Sequence, residues 1–534
     1  MKKSTRRQLL LAGLGATQLA LLDRFGYSPL SSKPARAAEG GPTRLLTIYV
    51  PGGWMPVYLF CPLTGSEITK SLPSPKMTYG EPAYYLPEWV KNLDGSGDAD
   101  AGSKVQRLRV PVMWDETSLS AGQPDGKIAL PGASGVTSVS HGWSWIHHKL
   151  WENASVVHGI DQGTATHASG VISALCGAAG ADFRAPAVHA VVANALYDAH
   201  KEDRALPSVA VGGAPIPQHL DLPARVAPAV LDSTSSVEWL LSERNDKAWG
   251  TIKDRTLRPQ VDFTGAPIGD IATTAIEEYA LKMTRDRRGK SSEGTDAFLA
   301  SLYDGTQGVS KVLARDVVSI LEQTVGLEYN LTNYWAPFGD QYPWGSSISS
   351  NEADSGATWT DRFDLTLRLL KSNLTSAVSL VCPGINGFYF DTHGTEQGLQ
   401  FVFVRAVFDI IGRFLGEMKA TPIGNGKTLL DDTLVLVISE FARTWPHAQD
   451  HWPTTSVIFA GGGVAPNKMF GSYDVSAAPQ VGYLGTPIDL IDEGGDPVTR
   501  VPRSADVIHS AYHILGINDF FIPGGSAEVV GLKV

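Results

Sequence analysis

The sequence contains little cysteine, and it lacks two well-known hydrolase motifs. Its 534 residues include three cysteines, Cys61, Cys176 and Cys382, which are too few and too scattered for a disulfide framework. None of them begins a Cys-x-Pro-Ser-Arg sequence, which disfavours a standard sulfatase mechanism based on formylglycine. No Gly-x-Ser-x-Gly nucleophile elbow occurs either, so an ordinary serine esterase is not expected.

Positive charge is scarce outside the amino terminus. The first 37 residues carry seven of the 44 lysines and arginines and one of the 55 acidic residues. The remaining chain has 37 basic and 54 acidic residues, and its formal charge falls from −11 to −17. An acidic surface repels phosphate backbones, so we expect no nucleic-acid partner.

The amino terminus has the pattern of an export signal. Ser4-Thr5-Arg6-Arg7-Gln8-Leu9-Leu10 leads into an apolar stretch, Leu9–Leu22, which is too short to span a bilayer as a helix. Ala35-Arg36-Ala37 then follows the small-residue cleavage pattern. We interpret residues 1–37 as a twin-arginine signal peptide; an uncleaved membrane anchor is the alternative. This predicts the twin-arginine translocase as a partner during export, a periplasmic or secreted location and no stable membrane span.

Apolar runs typical of buried strands alternate with amphipathic, helix-like runs along the chain. The predicted strands are 45–50, 154–158, 208–211, 376–381, 433–438 and 455–460, and the predicted helices are 168–176, 186–200, 361–371, 399–418 and 504–515. This alternation predicts an α/β fold, a doubly wound and mainly parallel sheet with helices on both faces. Ligands of such sheets bind at the carboxyl ends of the strands.

Two stretches interrupt the alternation and suggest how the chain is organised. We assign residues 38–224 and 346–534 to the two parts of an α/β core. Residues 62–140, rich in Pro, Gly, Ser and Asp, form an irregular excursion within the first part. Residues 225–345 have helical patterns without intervening strands, and we predict a helical insertion or lid there.

Histidines and carboxylates gather where the predicted strands end. Asp391-Thr392-His393 follows strand 376–381, Glu440 follows strand 433–438, and Asp450-His451 directly precedes strand 455–460. Carboxylate oxygens and imidazole nitrogens are the ligands of zinc, manganese, magnesium or calcium. The placement predicts a divalent-metal site or an anion site. A buried His–Asp pair or a helix-capping Asp is the structural alternative for each motif.

Four motifs follow one another along the second part of the chain, namely Asp391-Thr392-His393, Ser439-Glu440-Phe441-Ala442-Arg443-Thr444, Asp450-His451-Trp452-Pro453 and Ala460-Gly461-Gly462-Gly463-Val464. In this order they resemble the signature of an exported, largely uncharacterised bacterial family of the alkaline phosphatase and sulfatase superfamily. The resemblance implies an alkaline phosphatase-like fold in which two metal ions flank a nucleophile on the helix after the second strand.

That resemblance also implies a position for the nucleophile. Counting back from Gly177 as in the alkaline phosphatases places it on His167, with Thr166 just before it. The Thr166 hydroxyl would attack, or His167 would serve as ligand or nucleophile; helix capping is the alternative for Thr166. The first strand ends in Pro51-Gly52-Gly53 without the superfamily's metal-binding Asp, so one metal subsite is expected to be missing.

These observations together predict an exported metal-dependent hydrolase that acts on phosphoric or sulfuric esters, small or polymeric. Glu440 is a candidate metal ligand or general base, and Arg443 a candidate anion clamp unless it pairs with Asp450. The remaining candidate metal ligands are Asp391, His393, Asp450 and His451. The alternative is a degenerate module that binds a glycan or a cell-envelope partner without catalysis, which the missing first-strand carboxylate favours.

Overall fold

The computed structural model describes most of the two parts of the predicted core. The described residues are 41–56, 105–112, 143–178, 185–200, 203–204, 206–213, 352–383, 390–391, 397–444, 450–474, 484–518 and 524–534, with short pieces within 59–63, 89–94, 222–231 and 520–522. The predicted signal peptide, His393 and nearly all of the predicted helical insertion lie outside them, as does most of the excursion 62–140.

A nine-stranded sheet forms the centre of the described structure. In spatial order its strands are β3 (Val105–Gln106), β15 (Lys468–Phe470), β5 (Ala154–Asp161), β14 (Thr454–Gly461), β11 (Thr433–Ile438), β1 (Arg44–Tyr49), β8 (Thr375–Val381), β6 (Leu206–Val211) and β7 (Ala229–Leu231). The five strands from β11 to β7 pair in parallel. The predicted mixed α/β class with a large, mostly parallel sheet is confirmed.

Smaller ribbons surround this sheet. They are β2 (Trp89–Asn92) with β4 (Arg109–Val112), β9 (Pro422–Gly424) with β10 (Lys427–Thr428), β12 (Ala442–Arg443) with β13 (His451–Trp452), β16 (Tyr473–Asp474) with β17 (Leu484–Gly485), and β18 (Ile488–Asp492) between β19 (Pro497–Arg500) and β20 (Ala527–Val529). The β12–β13 ribbon matters most, because it carries two of the predicted site residues.

Six described α-helices accompany the strands. They are α1 (Trp143–His147), α2 (His167–Cys176), α3 (Val188–His200), α4 (Glu352–Lys371), α5 (Gln397–Ala420) and α6 (Ser504–Ile514), and a 3-10 turn follows α1 at Leu150–Asn153. In the described part of the chain, no helix is long and apolar enough to cross a membrane. Cys176 and Cys382 are both buried.

The sheet is buried on both faces, which explains why its strands are mostly apolar. Leu45 and Tyr49 of β1 belong to one hydrophobic core that includes residues of α2, α3 and α6. Leu46 and Ile48 point to the opposite face and are equally inaccessible to water. A strand between two covered faces is mostly apolar on both sides, although β1 also contains the buried Arg44 and Thr47.

Strand β14 departs from the parallel arrangement. It lies between β11 and β5 and runs antiparallel to both, with Leu436 opposite Phe459 and Val157 opposite Val457. The beginning of β14 therefore lies at the same edge of the sheet as the carboxyl ends of β11 and β5. This reversal is what brings His451, which precedes a strand, beside residues that follow strands.

Candidate metal centre

Five segments converge at the carboxyl edge of the sheet. They supply Gly52 and Gly53 after β1, Asp391 after β8, Glu440 and Arg443 after β11, His167 at the start of α2, and His451 in β13. Most of these side chains were predicted from their position next to strands, and the fold brings them together as expected for an α/β sheet.

Asp391 lies at the centre of the group and faces two imidazoles. Its Oδ2 is 3.2 Å from His167 Nε2, and its Oδ1 is 2.9 Å from His451 Nε2. The two imidazole rings pack edge to face with centroids 4.5 Å apart. One potential ligand atom from each of the three residues lies within 4.8 Å of the others. That separation is compatible with a shared cation.

Both imidazoles use Nδ1 to contact an acceptor. His167 Nδ1 is 2.8 Å from Glu440 Oε1, and His451 Nδ1 is 2.9 Å from the carbonyl oxygen of Ala165. Because these oxygens accept hydrogen bonds, each Nδ1 carries a proton, and in a neutral ring Nε2 then carries the lone pair. A neutral ring would therefore turn a lone pair toward the Asp391 carboxylate, whereas a protonated ring would donate to it. Either a proton or a cation is needed between each Nε2 and Asp391.

His167 Nε2 is a buried polar atom without a hydrogen-bond partner among the described residues. This atom is shielded from water and forms no hydrogen bond with the described residues, because its approach to Asp391 lacks hydrogen-bonding geometry. The hydrogen bond to Glu440 raises the pKa of His167 against the opposing effect of burial, and the charges of Glu440 and Asp391 raise it further. Neighbours that favour a proton at this ring also favour a metal ion.

Glu440 lies behind His167 and is almost inaccessible to water, with 1% of its surface exposed. Its Oε1 accepts hydrogen bonds from the backbone N–H of Gly52, at 2.7 Å, and from His167. Its Oε2 accepts one from Ser439 Oγ, at 3.1 Å. Among the described residues, no lysine or arginine forms an ion pair with Glu440. Its negative charge therefore faces the imidazole and whatever His167 Nε2 binds.

Arg443 holds the loops around the site rather than facing solvent. Its fully buried side chain donates from Nη2 to the carbonyl oxygens of Gly52, at 2.5 Å, and Phe390, at 3.0 Å, and to Asp391 Oδ1, at 2.5 Å. Burial by itself raises the pKa of Asp391, but hydrogen bonds from His451 and Arg443, with the Arg443 charge, hold that pKa well below its usual range. Asp391 is consequently a carboxylate at neutral pH.

An apolar wall supports the two imidazoles. The Phe441 ring stacks on His451 with centroids 4.3 Å apart and lies 4.9 Å from the His167 ring. Gly53, at φ +80°, leaves room for this ring, because a Cβ there would lie 2.5 Å from it. Gly52, at φ +109°, packs against the backbone of Asp391 so closely that a Cβ would collide with it. The two glycines are therefore required by positive φ and by close contact.

Some predicted site residues lie elsewhere. Thr166 is the exposed N-cap of α2, but its hydroxyl forms no capping hydrogen bond and contacts Thr164 Oγ1 at 3.2 Å. Asp450 is exposed and is not one of the three clustered ligands, although its charge acts on Arg443. Arg443 forms its ion pair with Asp391 rather than Asp450. His393 lies outside the described residues.

The sequence interpretation did not identify several groups that shape the site. Phe441 and the Ala165 carbonyl contact its members, and the Gly52 amide binds Glu440. Burial, followed by the charge of Glu440, raises the pKa of Tyr49 well above its usual range. In the sequence, Tyr49 and Phe441 cannot be distinguished from ordinary core residues. Backbone groups are present at every residue, so the sequence does not indicate which of them contact a site. The one available signal was the Gly52-Gly53 pair directly after a buried strand, since paired glycines there indicate close backbone contacts.

Comparison with known families corrects one expectation. The profile of a family described as "Protein of unknown function (DUF1501)" matches residues 362–519, which include Asp391, Glu440, Arg443 and His451. No curated protein and no solved structure gives a significant match.

The matching family is distinct from the alkaline phosphatase and sulfatase superfamily, so the predicted membership of that superfamily is wrong. Short runs of Gly, His and acidic residues recur at strand ends because ligand sites form there in many α/β sheets, and they do not identify a superfamily. The alkaline phosphatase-like topology is not confirmed. The position of the nucleophile, obtained by counting back from Gly177, and the expectation of a second metal ion both depended on that resemblance and are no longer supported by it. Over residues 362–519, the chain is similar to the DUF1501 family.

Proposed function

We propose that His167, Asp391 and His451 bind one divalent cation, through the two Nε2 atoms and the Asp391 carboxylate. The observation that carries this proposal is the direction of the two imidazoles, each with Nδ1 committed to an acceptor and Nε2 turned to one carboxylate. Histidine ligands of metals typically donate their other N–H to a carboxylate or a backbone carbonyl. Glu440 and the Ala165 carbonyl are such acceptors.

The residues fit a cation on two further grounds. His167 Nε2 is shielded from water without a hydrogen-bond partner, and the buried charge of Glu440 has no lysine or arginine ion-pair partner in the described chain. A cation bound to His167 Nε2 would give this atom a partner and would place a positive charge near Glu440. Two imidazoles with one carboxylate favour zinc or manganese over calcium or magnesium, which prefer oxygen ligands.

The proposed site is open on one side, as a catalytic metal site must be. The side chains of Asp391 and His167 are 37% and 42% exposed, so three protein ligands leave coordination positions for water and substrate. With neutral imidazoles, Asp391, Glu440 and Arg443 sum to one negative charge. A divalent cation makes the sum positive, and a positive site attracts an anionic substrate.

We infer from this that the protein is an exported metal-dependent hydrolase of phosphoric or sulfuric esters. A divalent ion supplies Lewis-acid polarisation of the ester and activation of water. Arg443 keeps Asp391 charged and ties the Gly52 and Phe390 backbones to it, while Glu440 orients His167. The predicted twin-arginine signal supports a periplasmic or secreted location, since that route exports proteins already folded.

The test is hydrolysis of p-nitrophenyl phosphate, bis-p-nitrophenyl phosphate and p-nitrophenyl sulfate by the mature protein, after chelation and after reconstitution with Zn²⁺ or Mn²⁺. We expect activity to depend on the metal and to be lost in Asp391→Asn. The control is Asp496→Asn, which changes an exposed carboxylate on the β18–β19 hairpin. Metal binding without hydrolysis of any ester would contradict the enzyme and favour a non-catalytic binding module. Retained activity in Asp391→Asn would contradict the site.

A further inference from the structure

Arg362, on α4, lies at the carboxyl ends of two strands beside the proposed metal centre. Its Nη1 donates a hydrogen bond to the carbonyl oxygen of Val381, the last residue of β8, at 2.9 Å. Its guanidinium also packs against Gly212, the first residue after β6, where a Cβ would lie 2.6 Å from Nη1 and 2.8 Å from Nε. Gly212 has φ +79°, so both the close contact and the backbone conformation require glycine. The ends of β8 and β6 thus fix the orientation of this guanidinium.

The charge of Arg362 has no counter-charge in the described part of the chain. Its Nε is shielded from water without a hydrogen-bond partner, and no described carboxylate forms an ion pair with it. By contrast Arg368, further along the same helix, is paired with Asp364. Charged groups that are removed from water normally have such partners. Because Nη1 binds Val381, the edge formed by Nε and Nη2 is the side left for a ligand, and such an edge binds two oxygens of one oxyanion.

The position of Arg362 is compatible with a ligand that also reaches the metal centre. β8 lies between β1 and β6, and Val381 pairs with Tyr49, three residues before Gly52. Neighbouring strands are about 4.8 Å apart, so the loop after β6 lies roughly 10 Å from the Gly52 loop along the carboxyl edge of the sheet. Ligands of α/β sheets bind along this edge. One extended substrate can therefore contact both places.

We propose that Arg362 forms a second anion subsite, which binds a phosphate, sulfate or carboxylate group of the substrate away from the ester that the metal ion polarises. Its role toward the substrate rests on the hydrolase proposed above. The preferred substrates then carry a further anionic group about 10 Å, or two strand spacings, from the scissile ester, as the repeating units of an anionic polymer do. The chain after residue 37 has 37 basic and 54 acidic residues, so an anion needs a local positive charge to approach it.

The first test measures sulfate binding to the metal-free protein by isothermal titration calorimetry at constant ionic strength. Without a cation, the charged groups of the proposed metal centre sum to one negative charge, so sulfate is not attracted there. Arg362→Gln removes the guanidinium of the subsite. Its control is Arg107→Gln, next to β3 at the other end of the sheet, which removes a half-exposed arginine paired with Asp94. Titration with acetate shows whether the subsite prefers a tetrahedral or a planar anion.

A matched glycine pair tests the same contact without removing the charge, and it decides the result if Arg362→Gln fails to fold. Gly212→Ala places a Cβ against the guanidinium, whereas a Cβ at Gly213 has no atom within 4 Å, and both positions have positive φ. We expect Arg362→Gln to weaken sulfate binding about 10–100-fold and Gly212→Ala to weaken it in the same direction. Gly213→Ala and Arg107→Gln should leave it unchanged. Absence of sulfate and acetate binding in the wild-type protein, or equal affinities in Arg362→Gln and Gly212→Ala, overturns the subsite.

The second test determines whether the bound anion belongs to the substrate. It compares the hydrolysis of hexyl p-nitrophenyl phosphate by the Zn²⁺-loaded protein with that of the same diester whose hexyl chain ends in a carboxylate. We expect the carboxylate to lower KM about tenfold in the wild-type protein and to have no effect in Arg362→Gln, with similar kcat values. Equal KM values for the two diesters in the wild-type protein overturn the role toward the substrate.

The two tests separate failure of the subsite from failure of the proposed function. Sulfate binding that depends on Arg362, without hydrolysis of any ester, supports the anion subsite but overturns the hydrolase and the role of Arg362 toward its substrate. Metal-dependent hydrolysis with a sulfate affinity that is independent of Arg362 overturns the subsite alone.

Discussion

Asp506 and Asp391 each form an ion pair with an arginine, and they differ in what surrounds their oxygens. Asp506, at the start of α6, is fully buried, and each of its oxygens accepts from one Arg500 nitrogen and one backbone N–H, those of Ala527 and Arg503. Asp391 is 37% exposed and is bound by Arg443, but it also faces two imidazole Nε2 atoms.

The difference shows how a structural ion pair can be distinguished from a ligand site. Around Asp506 every contact joins a donor to an acceptor, so the carboxylate closes a capping box and needs no further group. Around Asp391, the rings of His167 and His451 are oriented by two other acceptors, Glu440 and the Ala165 carbonyl, which bind their Nδ1 atoms. In the neutral rings, the Nε2 lone pairs then face the Asp391 carboxylate. An arrangement of acceptors against acceptors is stable only with a proton or cation between them.

The largest expected effect is on catalysis. His451→Gln removes one of the two Nε2 ligands and should lower kcat/KM for the best ester by about a thousandfold, because metal polarisation contributes several kcal/mol to transition-state stabilisation. His513→Gln, which changes a partly exposed histidine paired with Glu528, is the control. Steady-state kinetics measures both. Comparable losses of kcat/KM in His451→Gln and His513→Gln would contradict a specific role of His451 in catalysis.

Asp506→Asn should act on stability instead. It removes a fully buried carboxylate from Arg500 and the first turn of α6, and we expect the free energy of unfolding to fall by about 3 kcal/mol. This is the lower end of the range for buried pairs, because Arg500 is partly exposed. Chemical denaturation measures the loss, and the metal content of the folded fraction should not change. A loss of metal would show that Asp506 is not purely structural.

Metal removal should destabilise the wild-type protein by a comparable amount. A ligand that binds only the folded state at 100 times its Kd stabilises it by about 2.7 kcal/mol. We therefore expect Zn²⁺ to raise the Tm of the wild-type protein and chelation to reverse the shift. Asp391→Asn should show no shift under the same conditions. Equal shifts in both proteins would locate the stabilising metal elsewhere.

The smallest predicted effect concerns the glycine loop. Gly53→Ala introduces strain at φ +80° and a Cβ against Phe441, whereas Gly213→Ala introduces strain at φ +101° with no atom within 4 Å. Each should cost about 1–2 kcal/mol of stability from backbone strain. Only Gly53→Ala should also weaken Zn²⁺ binding, because Phe441 supports both imidazoles. Equal affinities in the two variants would contradict the supporting role of Phe441.

Much of the fold could be predicted from apolar runs. Strand 433–438 has the predicted bounds, and α6 begins at the predicted residue, because a strand buried on both faces and an amphipathic helix have distinct periodicities. The direction of β14 could not be predicted, since a doubly buried strand has the same composition in either direction. Helix α4 begins at Glu352 rather than at 361, because the residues before 361 are mostly small or polar and lack the apolar periodicity on which the prediction depends.

The candidate site was only partly predictable. The strand ends indicated that Asp391, Glu440 and His451 lie at one edge of the sheet, where the structure also has them. They did not indicate which of these side chains face the proposed metal and which lie behind the ligands. Glu440 carries the same carboxylate as Asp391, and only its burial and its hydrogen bonds from Gly52 and Ser439 place it behind His167. Such layering depends on contacts between distant segments, which a linear pattern does not record.

The most direct test of the central claim is the metal content of the mature protein, measured by elemental mass spectrometry after export by its native pathway. The account predicts one equivalent of zinc or manganese per chain in the wild-type protein and in Asp496→Asn, and almost none in a His167→Gln, Asp391→Asn double variant. The absence of metal from the wild-type protein, even after incubation with Zn²⁺ and Mn²⁺, would contradict it. Full occupancy in the double variant would contradict it equally.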